Sequence, residues 1–312
     1  MDKEKKAAKP KKRLWLRVLL IIVLLLAAGA GVYGFMVYKS LSSAVDTMHA
    51  PIKREKSEKR EETITLEKRD PFSVLMLGVD EREGDKGRSD TMIVLTVNPE
   101  NNSVKMLSIP RDTRTEIIGH GTVDKINHAY AFGGEEMSIA TVEDFLDIPI
   151  DYYVKINMQG FKDIVDAVGG ITVTNDKDFT QDGHHFPLGS QKLDGNKALS
   201  YVRMRKQDAD GDFGRQERQR QIIQGVINKG ASFSSLARFD NIFDAIGKNV
   251  RTNLTFSEMA DIQKHYKDTR KNIDQLSISG NGQYIGDYWY LIVSDEEQQR
   301  VQDEMRTHLG LQ

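Results

Sequence analysis

FSVLMLGV, residues Phe72–Val79, is an uninterrupted apolar run of strand length that ends at Asp80. A strand that is apolar on both faces is typical of the centre of a sheet with helices on either side. Residues 91–97 and 103–109 are also strand-like, and the segment NPENN at residues 98–102 between them predicts a β-hairpin. The folded domain is therefore expected to be built on a sheet that contains these strands.

Charged residues lie at the ends of these predicted strands. Asp90 precedes the first strand of the hairpin and Arg111 follows the second, so pairing of the hairpin brings the two side by side. If the strand before Asp80 runs parallel to the second hairpin strand, Asp80 joins them at the same edge. Ligands commonly bind beyond the carboxyl ends of such strands.

Helices and strands alternate along the rest of the domain. The predicted helices are residues 124–132, 137–146, 159–168, 194–201, 221–230 and 294–309, with two or three more within 233–266. The predicted strands are residues 151–156, 171–174, 273–279 and 288–293, and residues 175–193 are predicted to be a long loop without regular structure. Ser294 and Glu297 have the spacing of a capping box. The alternation favours an α/β fold, a helix–sheet–helix sandwich with a mixed central β-sheet.

The N-terminus predicts a membrane anchor. Seven basic residues within residues 1–13 precede the apolar residues 18–38, a run long enough to cross a hydrocarbon core of roughly 30 Å. The basic flank is expected to stay in the cytoplasm, so that the domain emerges outside. A cleaved signal peptide, whose apolar region is normally shorter, is the alternative. The predicted organisation is a cytoplasmic tail (1–13), a transmembrane helix (14–38), a charged linker (39–69) and an extracytoplasmic domain (70–312).

Composition excludes several classes of function. The 312 residues carry a net charge of −2, which argues against a general nucleic-acid binder. The chain has no cysteine, and this excludes thiol catalysis, cysteine-ligated zinc and disulfides. The sequence also lacks a P-loop, a nucleophile elbow, a zinc-protease helix and a dinucleotide-binding glycine motif.

YVRMRKQDADGDFGRQERQR, residues 201–220, concentrates arginine. Because residues 221–230 continue as a helix, Asp212 is expected to be its N-cap. At about 100° per residue, Arg215 and Gln219 share a stripe with the apolar residues Ile222 and Val226, which should face inward. Inward guanidinium groups need counterions, which either neighbouring aspartates or a polyanionic ligand would supply. A solvated charge face is the alternative.

Carboxylates and arginines together indicate phosphate chemistry. Asp80 and Asp90, without nitrogen ligands nearby, suit Mg²⁺, which keeps its waters and bridges phosphate oxygens. Salt bridges to Arg82 or Arg88 are the alternative role for these carboxylates. Arginine forks recognise phosphate with two hydrogen bonds, and phosphoryl transfer depends mainly on positioning and charge neutralisation. The residues alone therefore predict a membrane-tethered, extracytoplasmic binder or transferase of pyrophosphate compounds.

Seven segments of the outer domain resemble the LytR-CpsA-Psr family, and they occur in the order in which that family has them. They are LMLGVD (75–80), RSDTM (88–92), SIPRDT (108–113), KINHAY (125–130), VGGI (168–171), LDGNKALSYVRMR (193–205) and DFGRQERQR (212–220). The single N-terminal helix and the outer domain also agree with the family. The resemblance implies a ligase that transfers wall teichoic acid, or a related anionic glycopolymer, from an undecaprenyl-pyrophosphate carrier. The implied acceptor is the muramic-acid 6-hydroxyl of peptidoglycan, and the implied product is a phosphodiester.

The resemblance also implies roles for individual residues. Asp80 and Asp90 resemble ligands of Mg²⁺, with Mn²⁺ as an alternative ion. The residues that resemble a pyrophosphate clamp are Arg88, Arg111, Arg203, Arg205, Arg215, Arg218 and Gln219. The implied catalytic residues are Asp90, Arg111, Arg203, Arg205 and Asp212, with Asp90 the first candidate for the general base and Asp212 the second. Lys125 lies in a shared motif without an assigned contact. An apolar tunnel under the sheet is expected to hold the prenyl chain.

Three other functions are open to the same residues. A lipid-pyrophosphate hydrolase would use water in place of the sugar hydroxyl. A membrane-bound transcription attenuator, which the name LytR suggests, would need its domain on the other side of the membrane, and no nucleic-acid partner is expected. A protein that binds wall polymer without chemistry would have no use for paired Mg²⁺ ligands.

Overall fold

The computed structural model describes residues 12–54, 56–81, 87–205, 207–230 and 246–311. Its strands are β1 (Phe72–Val79), β2 (Ser89–Asn98), β3 (Ser103–Ser108), β4 (Arg114–Ile117), β5 (Thr122–Lys125), β6 (Tyr152–Asn157), β7 (Ile171–Asn175), β8 (Phe179–Gln181), β9 (His184–Phe186), β10 (Gly189–Leu193), β11 (Val250–Thr252), β12 (Ile273–Ser277), β13 (Asn281–Ile285) and β14 (Tyr288–Ile292). Its helices include α1 (Lys12–Met48), α2 (His128–Leu146), α3 (Met158–Ala167), α4 (Gly195–Arg203), α5 (Gly211–Gly230), α6 (Phe256–His265) and α7 (Asp295–His308).

A mixed sheet with the strand order β11-β6-β1-β2-β3-β12 forms the centre of the domain. β1 is parallel to β6 and antiparallel to β2, and β3 is parallel to β12. Leu75 and Leu77 of β1 pack into the core under α2 and α7, whereas Phe72 and Val74 pack into the core on the other face, with α6. The apolar run therefore forms a strand buried on both faces, and the predicted helix–sheet–helix sandwich is confirmed.

A second core lies among α3, α4, α5 and strands β7 to β10. The prediction of an irregular loop at residues 175–193 is wrong, because these residues include β8, β9 and β10. Phe179 and Phe186 bury their rings against each other, with centroids 4.9 Å apart. Asp182 and Gly183 join β8 to β9 with φ angles of 50° and 78°, as a two-residue hairpin turn requires. Strands of three residues are too short to show an alternation of apolar and polar residues. The Asp182–Gly183 turn was therefore the only local sequence feature that could have predicted this hairpin.

The helix predicted at residues 124–132 begins later than expected. Thr122–Lys125 pairs with β4 as a strand, and the helix starts at His128. It then continues through a kink at Gly133 and Gly134 into the helix predicted at residues 137–146. The two predicted helices are therefore both present, and they meet at a kink where Gly133 and Gly134 have non-helical backbone angles.

The capping prediction at α7 is half correct. Ser294 accepts a hydrogen bond from the backbone N–H of Glu297, but the Glu297 carboxylate accepts from the backbone N–H of Ser279, 2.8 Å away. A complete capping box occurs instead at α6, between Thr255 and Glu258. Part of the region predicted to hold helices at 233–266 lies outside the described residues.

Helix α1 is long and apolar enough to cross a membrane, with a mean hydropathy of 2.5 over its most apolar window within Leu19–Met48. It extends beyond the predicted end at residue 38. Val45 and Met48 are buried against Val250 of β11, and the Tyr38 ring packs edge-on against Phe256 at a centroid distance of 5.4 Å. The C-terminal end of the helix is therefore fixed to one edge of the central sheet.

Parts of the predicted charged linker, at residues 49–54 and 56–69, contact the domain. Arg54 donates two hydrogen bonds to Glu143, at 2.6 and 2.8 Å. Arg60 likewise donates to both carboxylate oxygens of Asp151, at 2.9 and 2.7 Å. The charges of this segment thus attach it to the domain.

His308 makes the stability of the fold depend on pH. Its ring is buried and hydrogen-bonds the hydroxyls of Thr96, at 2.7 Å, and Ser103, at 2.9 Å. Burial, reinforced by the charge of Lys105, lowers the pKa of His308 to about 4. The unfolded chain, in which the pKa of histidine is about 6.5, therefore binds the proton first as the pH falls.

We expect the free energy of unfolding to drop between pH 6.5 and 4, by about 2.5 kcal/mol from this group at pH 4.5. His308→Gln should remove this part of the loss, although it lowers the stability at pH 7.5. Denaturant titrations of the detergent-solubilised protein at pH 7.5 and 4.5 measure both effects. His185→Gln, an exposed histidine, is the control and should keep the wild-type pH dependence. An unchanged pH slope in His308→Gln would contradict the assignment.

Candidate active site

A cavity of about 480 Å³ opens where β1 and β6 end, between the sheet and helices α3, α4 and α5. The apolar side chains that line it include Met76, Ile156, Phe161, Leu199, Val202 and Ile223. The polar side chains that line it are Asp80, Asp90, Asn157, Arg203, Arg215 and Gln219. The cavity therefore combines an apolar wall with a cluster of cations and carboxylates, as a lipid with a charged headgroup requires.

Asp90 and Arg111 lie side by side, as the hairpin predicted. Arg111 Nη1 donates a hydrogen bond to Asp90 Oδ1 at 2.8 Å, and its Nε lies 3.5 Å from Asp112 Oδ2. Burial alone would lower the pKa of Arg111, but Asp90, Asp112 and Asp212 raise it on balance. Asp80 reaches the same cavity because β1 and β3 both run antiparallel to β2. The strand ends thus place Asp80 and Asp90 at the cavity, whereas Arg111 is not among the residues that line it and contacts it only through Asp90.

Arg215 is a largely buried cation whose guanidinium is only partly paired within the protein. Its Nη2 lies 2.6 Å from Asp212 Oδ1, and 13% of its side chain is exposed. Among the residues that the structure describes, none accepts a hydrogen bond from its buried Nε. Burial lowers the pKa of Arg215; Asp212 opposes this effect, whereas Arg111 and Arg205 add to it. A guanidinium held this way would gain greatly from an anionic ligand.

Helix α5 places Arg215 and Gln219 at the cavity, and the predicted inward stripe is confirmed. Gln219 Nε2 donates to Thr91 Oγ1 at 2.8 Å, while Ile222 is buried in the second core. The prediction that Asp212 is the N-cap is wrong, because the helix begins at Gly211 and Asp212 already lies in its first turn. Asp212 therefore presents its carboxylate to Arg215 one turn later.

Arg203 and Arg205 flank Met204, whose backbone is extended, but the two arginines line different pockets. Arg203 ends α4, lines the cavity, and has Asp182 at 4.0 Å as its ion-pair partner. Arg205 lines a small adjoining pocket of about 40 Å³ together with Asp112 and Asp212. The two arginines thus extend the positive charge from the cavity into this side pocket.

Arg88 and Arg218 are not brought to the cavity. Arg88 is exposed beside β2. Arg218 is buried, and its guanidinium donates to Asp208 Oδ2 and to the Met204 carbonyl, both at 2.6 Å. Burial alone would raise the pKa of Asp208, but hydrogen bonds from Lys177 and Arg218 lower it to about 2. Arg218 therefore attaches the segment before α5 to this helix. Its role in the pyrophosphate clamp stays a prediction, and Arg218 is not among the residues that line the cavity.

The structure gives Lys125 a contact and adds Asp112 and Asn157, which the sequence did not single out. Lys125, which had no assigned contact, donates to Asp112 Oδ1 at 2.7 Å and so supports the carboxylate beside Arg111. Asn157 is the last residue of β6, pairs with Val79 of β1 and lines the cavity. The position of Asp112 directly after Arg111 was a usable signal, whereas Asn157 depends on the pairing of β6 with β1.

The donor set at the cavity fits Mg²⁺. Asp80 and Asp90 both line it and offer carboxylate oxygens, and no group of three or more histidine, cysteine or acidic ligands occurs within the described ranges. Mg²⁺ binds through one or two carboxylates and completes its octahedron with water and phosphate oxygens. Of the alternative partners for these carboxylates, Arg82 lies outside the described residues.

Known proteins resemble this chain over most of its length. The LytR_cpsA_psr family model matches residues 35–307. The polyisoprenyl-teichoic acid–peptidoglycan teichoic acid transferase TagU of Bacillus mycoides is 53% identical over 302 residues, which cover 96% of this chain and 99% of that protein. The crystal structure of B. subtilis TagU is 50% identical, with a TM-score of 0.63 over 77% of this chain and 97% of that one.

A further solved structure carries a ligand. The LytR-CPS2A-psr family protein YwtF (TagT) with bound octaprenyl pyrophosphate lipid is 31% identical, with a TM-score of 0.70 over 84% of this chain and 100% of that one. The expected fold and the expected transferase class are thereby confirmed. With a family model that spans the cavity and every helix around it, this transferase belongs to the LytR_cpsA_psr family.

Proposed function

We propose that this protein transfers wall teichoic acid, or a related anionic glycopolymer, from an undecaprenyl-pyrophosphate carrier to the muramic-acid 6-hydroxyl of peptidoglycan. The observation that carries the proposal is the cavity whose apolar wall adjoins Arg203, Arg215 and the carboxylates Asp80 and Asp90. The names of the TagU relatives state the same reaction class, and YwtF holds a prenyl pyrophosphate. Basic residues at 1–13 favour a cytoplasmic N-terminus and an outer domain.

Binding of the donor divides between the two sides of the cavity. The prenyl chain would lie along the apolar wall around Phe161 and Ile223, where burial contributes about 0.8 kcal/mol for each CH₂ group. The pyrophosphate would lie against Arg215, whose buried Nε has no acceptor among the described residues. Mg²⁺ held by Asp80 and Asp90 would neutralise phosphate charge and orient the oxygens.

The reaction is a substitution at the phosphorus that carries the polymer. The acceptor hydroxyl oxygen forms the new P–O bond, and the bond to the lipid-borne phosphate breaks, so that undecaprenyl phosphate leaves. Arg203 and Arg215 stabilise the charge that develops on the leaving phosphate, while Arg111 orients Asp90 through its 2.8 Å hydrogen bond. The hydroxyl proton passes to a carboxylate, for which Asp90 is the first candidate and Asp212, which lines the side pocket, the second.

Product analysis separates transfer from hydrolysis. The full chain in nanodiscs is given a lipid-pyrophosphate-linked saccharide and Mg²⁺, with or without peptidoglycan glycan strands. We expect saccharide phosphodiester-linked to the glycan, formed at least about 100-fold faster than free saccharide phosphate, because a positioned hydroxyl outcompetes water. Release of saccharide phosphate at the same rate with and without acceptor would overturn the transferase proposal in favour of a hydrolase.

A further inference from the structure

The hairpin of β13 and β14, residues 281–292, carries exposed aromatic side chains that the donor site does not use. We call it the aromatic hairpin. Tyr284 is 71% exposed, Tyr288 66% and Trp289 38%. Folded proteins seldom expose several large aromatic rings together unless the surface binds something.

One face of the aromatic hairpin carries the side chains of Tyr284 and Trp289, and we call this face the platform. Tyr284 pairs directly with Trp289 across the two strands, so both side chains project from the same face. The indole lies over Gly282, where a Cβ would come within 2.8 Å of Trp289 Cζ2. Tyr288 pairs with Ile285 and therefore belongs to the opposite face. The absence of a side chain at position 282 thus leaves room for the indole beside the strand.

This platform is continuous with the side pocket of the active site. Leu291 N donates to the Asp112 carbonyl at 2.9 Å, which fixes β14 beside the segment that carries Arg111. Trp289 itself lines the side pocket together with Arg205 and Asp212. An acceptor bound on the platform would therefore have its hydroxyl near Asp212, the second candidate for the general base.

The chemistry of the aromatic hairpin favours an uncharged saccharide. Its sequence, NGQYIGDYWYLI, contains no lysine or arginine, whereas both a polyanionic donor and an anionic membrane surface attract basic residues. The apolar C–H face of a pyranose ring stacks on a flat aromatic ring.

The position of the hairpin also separates it from the anchor. The aromatic hairpin follows β12, which forms one edge of the central sheet. Helix α1 packs against β11 at the opposite edge. The platform and the membrane-spanning helix thus lie on opposite sides of the domain.

We infer that the platform formed by Tyr284 and Trp289 is the subsite that binds the glycan backbone of the acceptor, by stacking amino-sugar rings beside the side pocket. The inference rests on the proposed function for the identity of the acceptor. It adds a specificity-determining surface that is distinct from the cavity for the lipid-linked donor.

A direct binding experiment tests the platform without any transfer. The chain has two tryptophans, so Trp15→Phe leaves Trp289 as the only indole. In this full-chain background, chitohexaose, an uncharged β-1,4-linked amino-sugar hexamer, should change the fluorescence of Trp289. Tyr284→Ala should weaken binding about 10-fold, as expected for loss of one stacking partner, whereas Tyr288→Ala on the opposite face should bind as the parent does. No fluorescence change, or an equal loss in both variants, overturns the inference.

Transfer kinetics separate failure of the platform from failure of the proposed function. Tyr284→Ala should raise the KM for glycan strands about 10-fold and leave the KM for the lipid-linked donor unchanged, and Tyr284→Phe should restore the wild-type value. Unchanged acceptor KM in an active Tyr284→Ala protein overturns the platform alone. Chitohexaose binding without any transfer supports the platform and overturns the proposed function. Quenching of Trp289 by brominated phosphatidylglycerol vesicles would identify the hairpin as a membrane contact and overturn the inference.

Discussion

Replacement of Arg215 by methionine should reduce transfer by about 1,000-fold, the scale on which a transition-state arginine acts in phosphoryl transfer. The fold should persist, because methionine keeps much of the side-chain volume and removes a buried charge whose Nε has no acceptor among the described residues. The measurement is the initial rate of saccharide transfer at saturating donor, together with the thermal midpoint of the same preparation.

Arg218→Met is the matched control, since it removes another buried arginine from the same helix. Arg218 bridges Asp208 and the Met204 carbonyl away from the cavity, so its loss should lower the free energy of unfolding by about 3 kcal/mol. The protein that remains folded should transfer at a rate within a few-fold of wild type. A folded but inactive Arg218→Met protein beside an active Arg215→Met protein would reverse the roles assigned to the two arginines.

Asn replacements at Asp80 and Asp90 should abolish the dependence on divalent cations. We expect the wild type to lose activity in EDTA and to regain it with Mg²⁺ or Mn²⁺. The double variant should be slower by at least about 100-fold, because a metal ion supplies several kcal/mol of charge stabilisation, and added Mg²⁺ should not rescue it.

The control for these carboxylates is Asp178→Asn, which removes an exposed carboxylate that pairs with His185 at 3.0 Å. Its metal titration should match that of the wild type. Wild-type transfer that persists in EDTA at an unchanged rate would exclude the metal from the mechanism, and Mg²⁺ rescue of the double variant would place the ion elsewhere.

Much of the site could be predicted because it depends on local periodicity and on strand pairing. The predicted hairpin of β2 and β3 places Asp90 beside Arg111. The helical spacing of Arg215 and Gln219 predicts that both face the interior, and both line the cavity. Helical spacing could not separate Arg218 from Arg215, since residues three apart lie on similar faces. The difference is made by Asp208, which the turn before α5 brings to Arg218.

Tertiary contacts explain the elements that sequence did not predict. Hydropathy ends the first helix near residue 38, but contacts of Val45 and Met48 with the domain extend it to residue 48. Phe179 and Phe186 hold together two strands of three residues each, which carry too few positions for a period to be visible. The platform of Tyr284 and Trp289 depends on cross-strand pairing and on Gly282, neither of which periodicity reveals.

Calorimetric binding of geranylgeranyl pyrophosphate to the full chain with Mg²⁺ tests the central claim most directly. The claim is that one cavity recognises both the prenyl chain and the pyrophosphate. The wild type should bind this lipid far more tightly than inorganic pyrophosphate, and Arg215→Met should weaken binding about 100-fold, as expected for the loss of two charge-assisted hydrogen bonds. Equal affinity for inorganic and prenyl pyrophosphate, or undiminished binding by Arg215→Met, would contradict it.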